Sequence, residues 1–158
     1  MNHSRILMFS GILLFLSGCI IAGLFTSSGF LFKNYKAGVG GHVEAQLNGI
    51  FLLLIGVSWH HLYLNEKCKL ITHICLQITG WLHPMTYYWV AYTGHHYNLL
   101  RQATIDAKTL PSSLDEFIFN FVLVGIVSGS MMMALILLLW GFRVGGSTRQ
   151  SDFEVKKQ

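Results

Sequence analysis

The chain has 158 residues, a length typical of one domain, and it is 53% hydrophobic with only 11% charged residues. This composition excludes an ordinary soluble domain and favours an integral membrane protein. The formal net charge of +4 reflects Lys and Arg residues outside the apolar segments, so it indicates membrane orientation and not nucleic-acid binding.

Four apolar segments are each long enough to cross a hydrocarbon core of ~30 Å as an α-helix. They cover about 6–26, 43–64, 70–93 and 116–142. The first resembles a signal peptide ending at Cys19, but the apolar run continues past that residue, so we interpret it as a span. The sequence therefore predicts an all-α, integral membrane four-helix bundle over 1–143 and a polar C-terminal tail over 144–158.

Basic residues are divided unequally between the two sides of such a bundle. Seven of the eleven Lys and Arg residues belong to the termini and to the loop between spans two and three. Because short cytoplasmic segments are enriched in Lys and Arg, we expect both termini in the cytoplasm. The glycines of 27–41, on the opposite side, predict an irregular, tightly turning loop.

Polar residues gather where "GHVEAQLNG" leads into the apolar run of span two. His42 and Gln46 fall on one helical face, and Glu44 and Asn48 fall on another. Polar groups are costly to bury in a membrane, so we expect these side chains to have partners, a ligand or both.

The third span carries a second polar face, on which His83 and Tyr87 lie one helical turn apart. Because spans two and three are antiparallel, His42, Asn48, His83 and Tyr87 can converge in the outer half of the membrane. A single histidine among aromatic and small residues suits haem iron. It suits zinc less, since Glu44 is the only acidic or thiolate co-ligand nearby. Hydrogen bonding at the membrane interface remains an alternative for each of these residues.

Two other features have structural interpretations. Gly125 and Gly129 form a small-residue surface on span four that suits close helix approach, either within the bundle or between subunits. His73, near the inner end of span three, is interpreted as a residue at the level of the lipid headgroups.

The order of these residues resembles the styrene oxide isomerase family. Asn48-Gly49 follows His42 at the spacing of that family, and Gly80-Trp81 is followed by Tyr87. The string "GHVEAQLNGIFLLLIGVSW", with the later "LILLLWGF", is similar to the related hydroxylaminobenzene mutases. Thr79 and His83 stand where the isomerases have Asp and Asn.

The resemblance implies a homotrimer in the inner membrane of a bacterium, with haem b near the subunit boundaries. It implies that His42 is the axial ligand of the haem iron and that Asn48 and Tyr87 position the substrate. His83 shares a face with Tyr87 and is interpreted as a third residue of the catalytic pocket.

The leading hypothesis is a redox-neutral isomerase in which ferric haem acts as a Lewis acid on a substrate oxygen. The substrate is a small apolar aromatic molecule: an aryl epoxide, which becomes an aldehyde, or an arylhydroxylamine, which becomes an aminophenol. The alternative is a haem electron carrier in which His42 and His83 both ligate one iron and leave no open position.

Overall fold

The computed structural model describes residues 2–21, 32–93, 114 and 118–155. Helix α1 covers His3–Ile21, α2 covers Tyr35–Ser58 and continues as a short 3₁₀ turn over Trp59–His61, and α3 covers Glu66–Thr93. A π-helical segment over Ile118–Val127 leads directly into α4, which covers Ser128–Val155. No strand occurs among the residues described, which confirms the prediction of an all-helical chain.

Three helical stretches are long and apolar enough to cross a membrane: His3–Ile21, Tyr35–His61 and Phe121–Arg143. Large apolar side chains cover the exterior of these helices; Phe9 is 68% exposed and Leu139 is 72% exposed. Exposed apolar surface of this extent suits a lipid environment and is unusual for a soluble monomer. The chain is a membrane protein.

The third predicted span, 70–93, lies within α3, which is less apolar than the three stretches named above. Helix α3 places polar side chains in the interior, where Thr72, His73, Thr79 and Thr86 are all buried. Polar residues in a membrane helix usually face the protein interior or a cavity. The polar side of α3 therefore faces the interior of the molecule.

Several helix ends differ from the predicted spans. Helix α2 begins earlier than predicted because the Asn34 side chain caps it, accepting from the Ala37 amide at 3.1 Å. Asn65 likewise accepts from the Cys68 amide at 2.8 Å at the start of α3. Helix α4 continues to Val155, through most of the predicted polar tail. The predicted span ends over 22–26 and 116–117 lie outside the described residues.

The helices pack in the order in which they follow one another along the chain. Backbone contact joins α1 to α2: a Cβ added at Gly11 would lie 2.6 Å from the Gly49 carbonyl oxygen. Helix α2 packs against α3, and α3 packs against the π-helical segment and α4. Buried leucines fill the space between the helices, including Leu14, Leu52 and Leu76.

His73 is buried within the protein, beside residues at the ends of α1 and α2, and its position at the level of the lipid headgroups stays a prediction. It is 6% exposed, with its ring centroid 4.8 Å from that of His3 and 6.4 Å from that of Trp59. The N-terminus of α1 and the 3₁₀ turn after α2 pack against it. The sequence of α3 alone does not reveal this tertiary contact. The Nδ1 atoms of His3 and His73 and the Nε2 atom of Gln77 are buried without a hydrogen-bond partner among the described residues.

Candidate active site

His42 is held by the neighbouring helix through one nitrogen of its ring. Its Nδ1 atom lies 2.9 Å from the carbonyl oxygen of Gly18 on α1. A carbonyl oxygen only accepts, so Nδ1 carries the proton, and in the neutral ring the lone pair is on Nε2. Histidines that bind metals are commonly oriented in this way, with one ring nitrogen donating to a backbone carbonyl. His42 can therefore ligate a metal through Nε2.

The donor set in this part of the chain fits haem iron better than a bare metal ion. No group of three or more His, Cys, Asp or Glu side chains that could hold a metal ion occurs among the residues that were described. Haem needs fewer protein ligands because the porphyrin supplies most of the iron's ligands and one imidazole can complete the proximal side. His42 is suited to that role.

A cavity of about 450 Å³ lies between α2, α3, the π-helical segment and α4. Its polar lining consists of Glu44, Asn48, Thr79, His83 and Ser128. Its apolar lining consists of Leu47, Phe51, Leu123, Val127, Met131 and Met132. A mostly apolar wall with a few convergent polar groups is typical of sites for small organic molecules, and this volume accommodates a substituted aromatic ring.

The π-helical segment contributes directly to the cavity wall through Leu123 and Val127. It ends where the Ser128 hydroxyl donates to the Leu123 carbonyl oxygen at 3.2 Å. The Thr79 hydroxyl donates to the Val127 carbonyl oxygen at 3.4 Å, which joins α3 to the same segment. π-Helical geometry is rare and is often found at functional sites.

Asn48 presents an unsatisfied hydrogen-bond donor in the cavity wall. Its Nδ2 atom is buried and has no partner among the described residues. Buried polar atoms almost always have a partner, and leaving one without a partner costs about 1–3 kcal/mol. Asn48 lies in the cavity wall, and its role in positioning a substrate stays a prediction.

Glu44 on α2 and His83 on α3 form a pair in the wall of the cavity, with Glu44 Oε2 3.2 Å from His83 Nδ1. The two side chains are 27% and 28% exposed, so both are partly shielded from solvent. Glu44 was not predicted as a site residue. The available signal was its helical face, which it shares with Asn48.

Tyr87 contacts His83 edge to face, with ring centroids 5.6 Å apart. The other side of the Tyr87 ring packs against α2 at Gly40, where an added Cβ would lie 3.0 Å from Cδ1. The proximity of His83 and Tyr87 follows from their spacing of one helical turn. Tyr87 thus supports the edge of the site through His83 and is not part of the cavity lining.

Within one chain, His42 does not join Asn48 and His83 at the cavity, and Tyr87 reaches it only through its contact with His83. Its ring is directed at Gly18 on α1, whereas Asn48 and His83 line the cavity on the side of α4. Gln46, one turn after His42, also faces α1 and donates to the Cys19 sulfur at 3.2 Å. The expected convergence of all four residues is therefore absent from a single copy of the chain.

The family model for styrene oxide isomerase matches this chain over residues 3–143. The chain belongs to the styrene oxide isomerase family. Hydroxylaminobenzene mutase HabA of Ectopseudomonas oleovorans is 28% identical over 130 residues, which is 82% of this chain and 92% of that protein. Hydroxylaminobenzene mutase HabB of the same organism is 27% identical over 152 residues, which is 94% of this chain and 87% of that protein.

No solved structure matches the chain significantly. The family match covers α1, α2, α3 and the part of α4 that precedes the C-terminal tail, so it includes every residue of the candidate site. The chain is accordingly an enzyme of the isomerase or mutase class.

Proposed function

We propose that this enzyme is a haem-dependent, redox-neutral membrane isomerase that acts on an aryl epoxide or an arylhydroxylamine. The observation that carries the proposal is the hydrogen bond from His42 Nδ1 to the Gly18 carbonyl oxygen, which leaves Nε2 as a metal-binding nitrogen. The similarity to two hydroxylaminobenzene mutases supports the class of substrate.

His42 would hold haem b in the ferric state, which when bound supplies Lewis-acid polarisation of a substrate oxygen. The protein's own groups bind and orient the substrate. Asn48 Nδ2 donates a hydrogen bond to the substrate oxygen, and His83, steadied by Tyr87, faces the same space. The apolar side chains of the cavity contact the aromatic ring and exclude water from a cationic intermediate.

In the membrane, we propose a four-helix bundle in which α3 is the remaining span, with its polar residues directed inward. Both termini would lie in the cytoplasm, and the membrane would be the inner membrane of a bacterium. The uneven distribution of Lys and Arg supports this orientation.

We also propose a homotrimer. Gly129 is exposed, and a Cβ added there would have no neighbour within 4 Å among the described residues, so the described part of the chain leaves this surface without a contact. A trimer would also resolve the separation of His42 from the cavity, since assembly of copies can place His42 of one subunit beside the cavity of the next. Small residues on an exposed membrane helix favour such contacts.

Absorption spectroscopy of the purified protein and of His42→Ala tests the haem ligand. Wild type is expected to show a Soret band and His42→Ala to lose it while remaining folded, because Nε2 supplies the axial bond. His61→Ala is the matched control, since His61 is exposed and outside the site. An unchanged Soret band in His42→Ala would exclude His42 as the ligand.

The same spectra distinguish the electron-carrier alternative. A low-spin, six-coordinate resting protein that becomes high-spin in His83→Ala would indicate that both histidines ligate one iron. The pairing of His83 with Glu44 instead favours a role in the cavity. We therefore expect His83→Ala to leave the haem spectrum close to that of wild type.

A further inference from the structure

Two histidines from different helices lie together at the end of the molecule opposite to His42. His3 begins α1, and His73 lies two turns into α3. Their ring centroids are 4.8 Å apart, with an angle of 59° between the ring planes. The helical rise from His3 to Gly18, the residue that contacts His42, is roughly 22 Å. The pair is therefore remote from the candidate active site.

This pair presents buried nitrogen atoms that lack hydrogen-bond partners. The Nδ1 atoms of His3 and His73 have no partner among the described residues, and His73 is only 6% exposed. Trp59 encloses the pair, with its ring centroid 5.7 Å from that of His3 and, edge-on, 6.4 Å from that of His73. Because buried polar atoms almost always have a partner, these nitrogens require one that the described side chains do not supply.

Gln77 adds a third group on the same face of α3, one helical turn after His73. Its Nε2 atom is also buried without a partner in the described part of the chain. The two ends of a side-chain amide have nearly the same shape, so the flipped amide places the carbonyl oxygen at this position instead. Side-chain amide oxygens are established ligands of metal ions.

The spacing of the two rings fits a shared metal ion. Bonds from a metal ion to imidazole are about 2.0–2.1 Å long, so two rings on one ion have centroids roughly 4.5–6.5 Å apart. The separation of His3 and His73 lies in this range. The exposed pair His60 and His61 lies outside it, with centroids 3.8 Å apart. Imidazole suits zinc, copper and nickel, whereas magnesium and calcium prefer oxygen ligands.

We propose that His3, His73 and the amide oxygen of Gln77 bind one divalent first-row transition-metal ion, with water completing its coordination. The ion joins α1 directly to α3, two helices whose mutual contact is small because α1 packs mainly against α2. Only two of these ligands are histidines, which agrees with the lack of any larger His, Cys, Asp and Glu group among the residues described. The site is independent of the haem, and its ion stabilises the fold.

Zinc is a suitable probe, because Zn²⁺ has no redox chemistry that would disturb a bound haem. Full-length protein in detergent, freed of loosely bound metal by a chelator and dialysed, is expected to take up one zinc ion per chain by elemental analysis. At a zinc concentration of about 100 times the Kd, the midpoint of thermal unfolding should rise by roughly 5–10 °C. Magnesium at the same concentration should produce no rise.

His3→Phe and His73→Phe keep an aromatic ring beside Trp59 and remove the ligand nitrogen, so each should abolish the zinc-dependent rise. His3 is only partly buried, and His3→Phe therefore tests the site even where His73→Phe does not fold. His61→Phe, at an exposed histidine, is the matched control and should respond as wild type does. His42→Ala should also keep the rise, which separates this site from the proposed haem ligand.

Gln77→Glu tests the third ligand, since a carboxylate presents oxygen at both ends and carries a negative charge. This variant should have a lower Kd for zinc than wild type, whereas Gln77→Leu should have a higher one. Equal Kd values in wild type and both variants would remove Gln77 from the ligand set and overturn the site as proposed.

Three results would overturn the metal site as a whole. The first is a wild-type protein whose unfolding midpoint does not respond to zinc. The second is a rise that persists in both His3→Phe and His73→Phe and is lost in His61→Phe, which would assign the zinc to the exposed pair. The third is a rise caused by inorganic phosphate and not by zinc, which would make the buried nitrogens hydrogen-bond donors to an anion.

Discussion

Asn48 illustrates how a single residue can lower stability in order to bind a substrate. Its Nδ2 atom is buried without a partner among the described residues, and that burial costs about 1–3 kcal/mol. We expect Asn48→Leu, which has a similar size and no donor, to raise the free energy of unfolding by about 1 kcal/mol. The same change should lower turnover, because the substrate oxygen loses its hydrogen bond. Thermal unfolding and kcat, measured on one preparation, test both effects.

Gln46→Leu is the matched control for this prediction, since Gln46 carries an amide that does have a partner, the sulfur of Cys19. That variant should not gain stability. A loss of stability in Asn48→Leu together with full activity would contradict the role of Asn48 as a substrate donor.

At the scale of residues, helical periodicity predicted which side chains share a face of a helix. The sequence did not predict which side chains meet between helices. Periodicity placed Glu44 with Asn48 and apart from His42, and the structure agrees, with the first two lining the cavity and the third directed at α1. The pair of Glu44 with His83 depends on the relative rotation of α2 and α3, which neither helix encodes alone. The burial of His73 was not predicted for the same reason, because it depends on His3 and Trp59 from other elements.

The contact between α1 and α2 depends on glycines because the two backbones touch. An added Cβ at Gly11 would lie 2.6 Å from the Gly49 carbonyl oxygen, a backbone atom that cannot move by a simple side-chain rotation. We expect Gly11→Ala to lower the free energy of unfolding by about 1–3 kcal/mol, as overpacking usually does. Reversible unfolding in mixed micelles is a suitable measurement.

Leu13→Ala provides the comparison on the same helix, because Leu13 is exposed on the outer surface of α1. Its effect should be smaller than that of Gly11→Ala. Equal stability of Gly11→Ala and wild type would show that α1 and α2 can move slightly apart with no loss in the free energy of unfolding.

At the scale of elements, the hydrophobic runs predicted the helices, but the glycines before span two were misinterpreted. They were expected to form an irregular loop, yet Gly38, Gly40 and Gly41 lie inside α2. Aromatic rings pack against all three: Phe32 at Gly38, Tyr87 at Gly40 and Tyr88 at Gly41. Glycine at these positions leaves room for the aromatic rings on the surface of α2. Local turn propensity does not reveal this packing requirement. The π-helical segment was also missed, since a shift in backbone hydrogen bonding leaves the hydrophobic run unchanged.

The orientation of the whole molecule can be tested with a natural cysteine. Cys68 is a free thiol in the first turn of α3, between the predicted spans and on the side expected to face the cytoplasm. A membrane-impermeant maleimide should label it only after the cells are permeabilised. Cys19→Ser/Cys75→Ser is the appropriate background, since those two cysteines lie within helices α1 and α3. Labelling of Cys68 on intact cells would place this end of the bundle outside and reverse the proposed topology.

At the scale of the whole molecule, the exposed surface of α4 around Gly129 leads to a prediction of the oligomeric state. Gly129 has open space beside it among the residues described for one chain, while His42 and the cavity lie on different sides of α2. We expect native mass spectrometry in mild detergent to give three chains per particle with bound haem. Gly129→Leu, whose side chain would occupy the contact, should yield smaller species with reduced haem but intact helices by circular dichroism. A wild-type monomer that retains a full complement of haem would contradict a site completed by the neighbouring subunit.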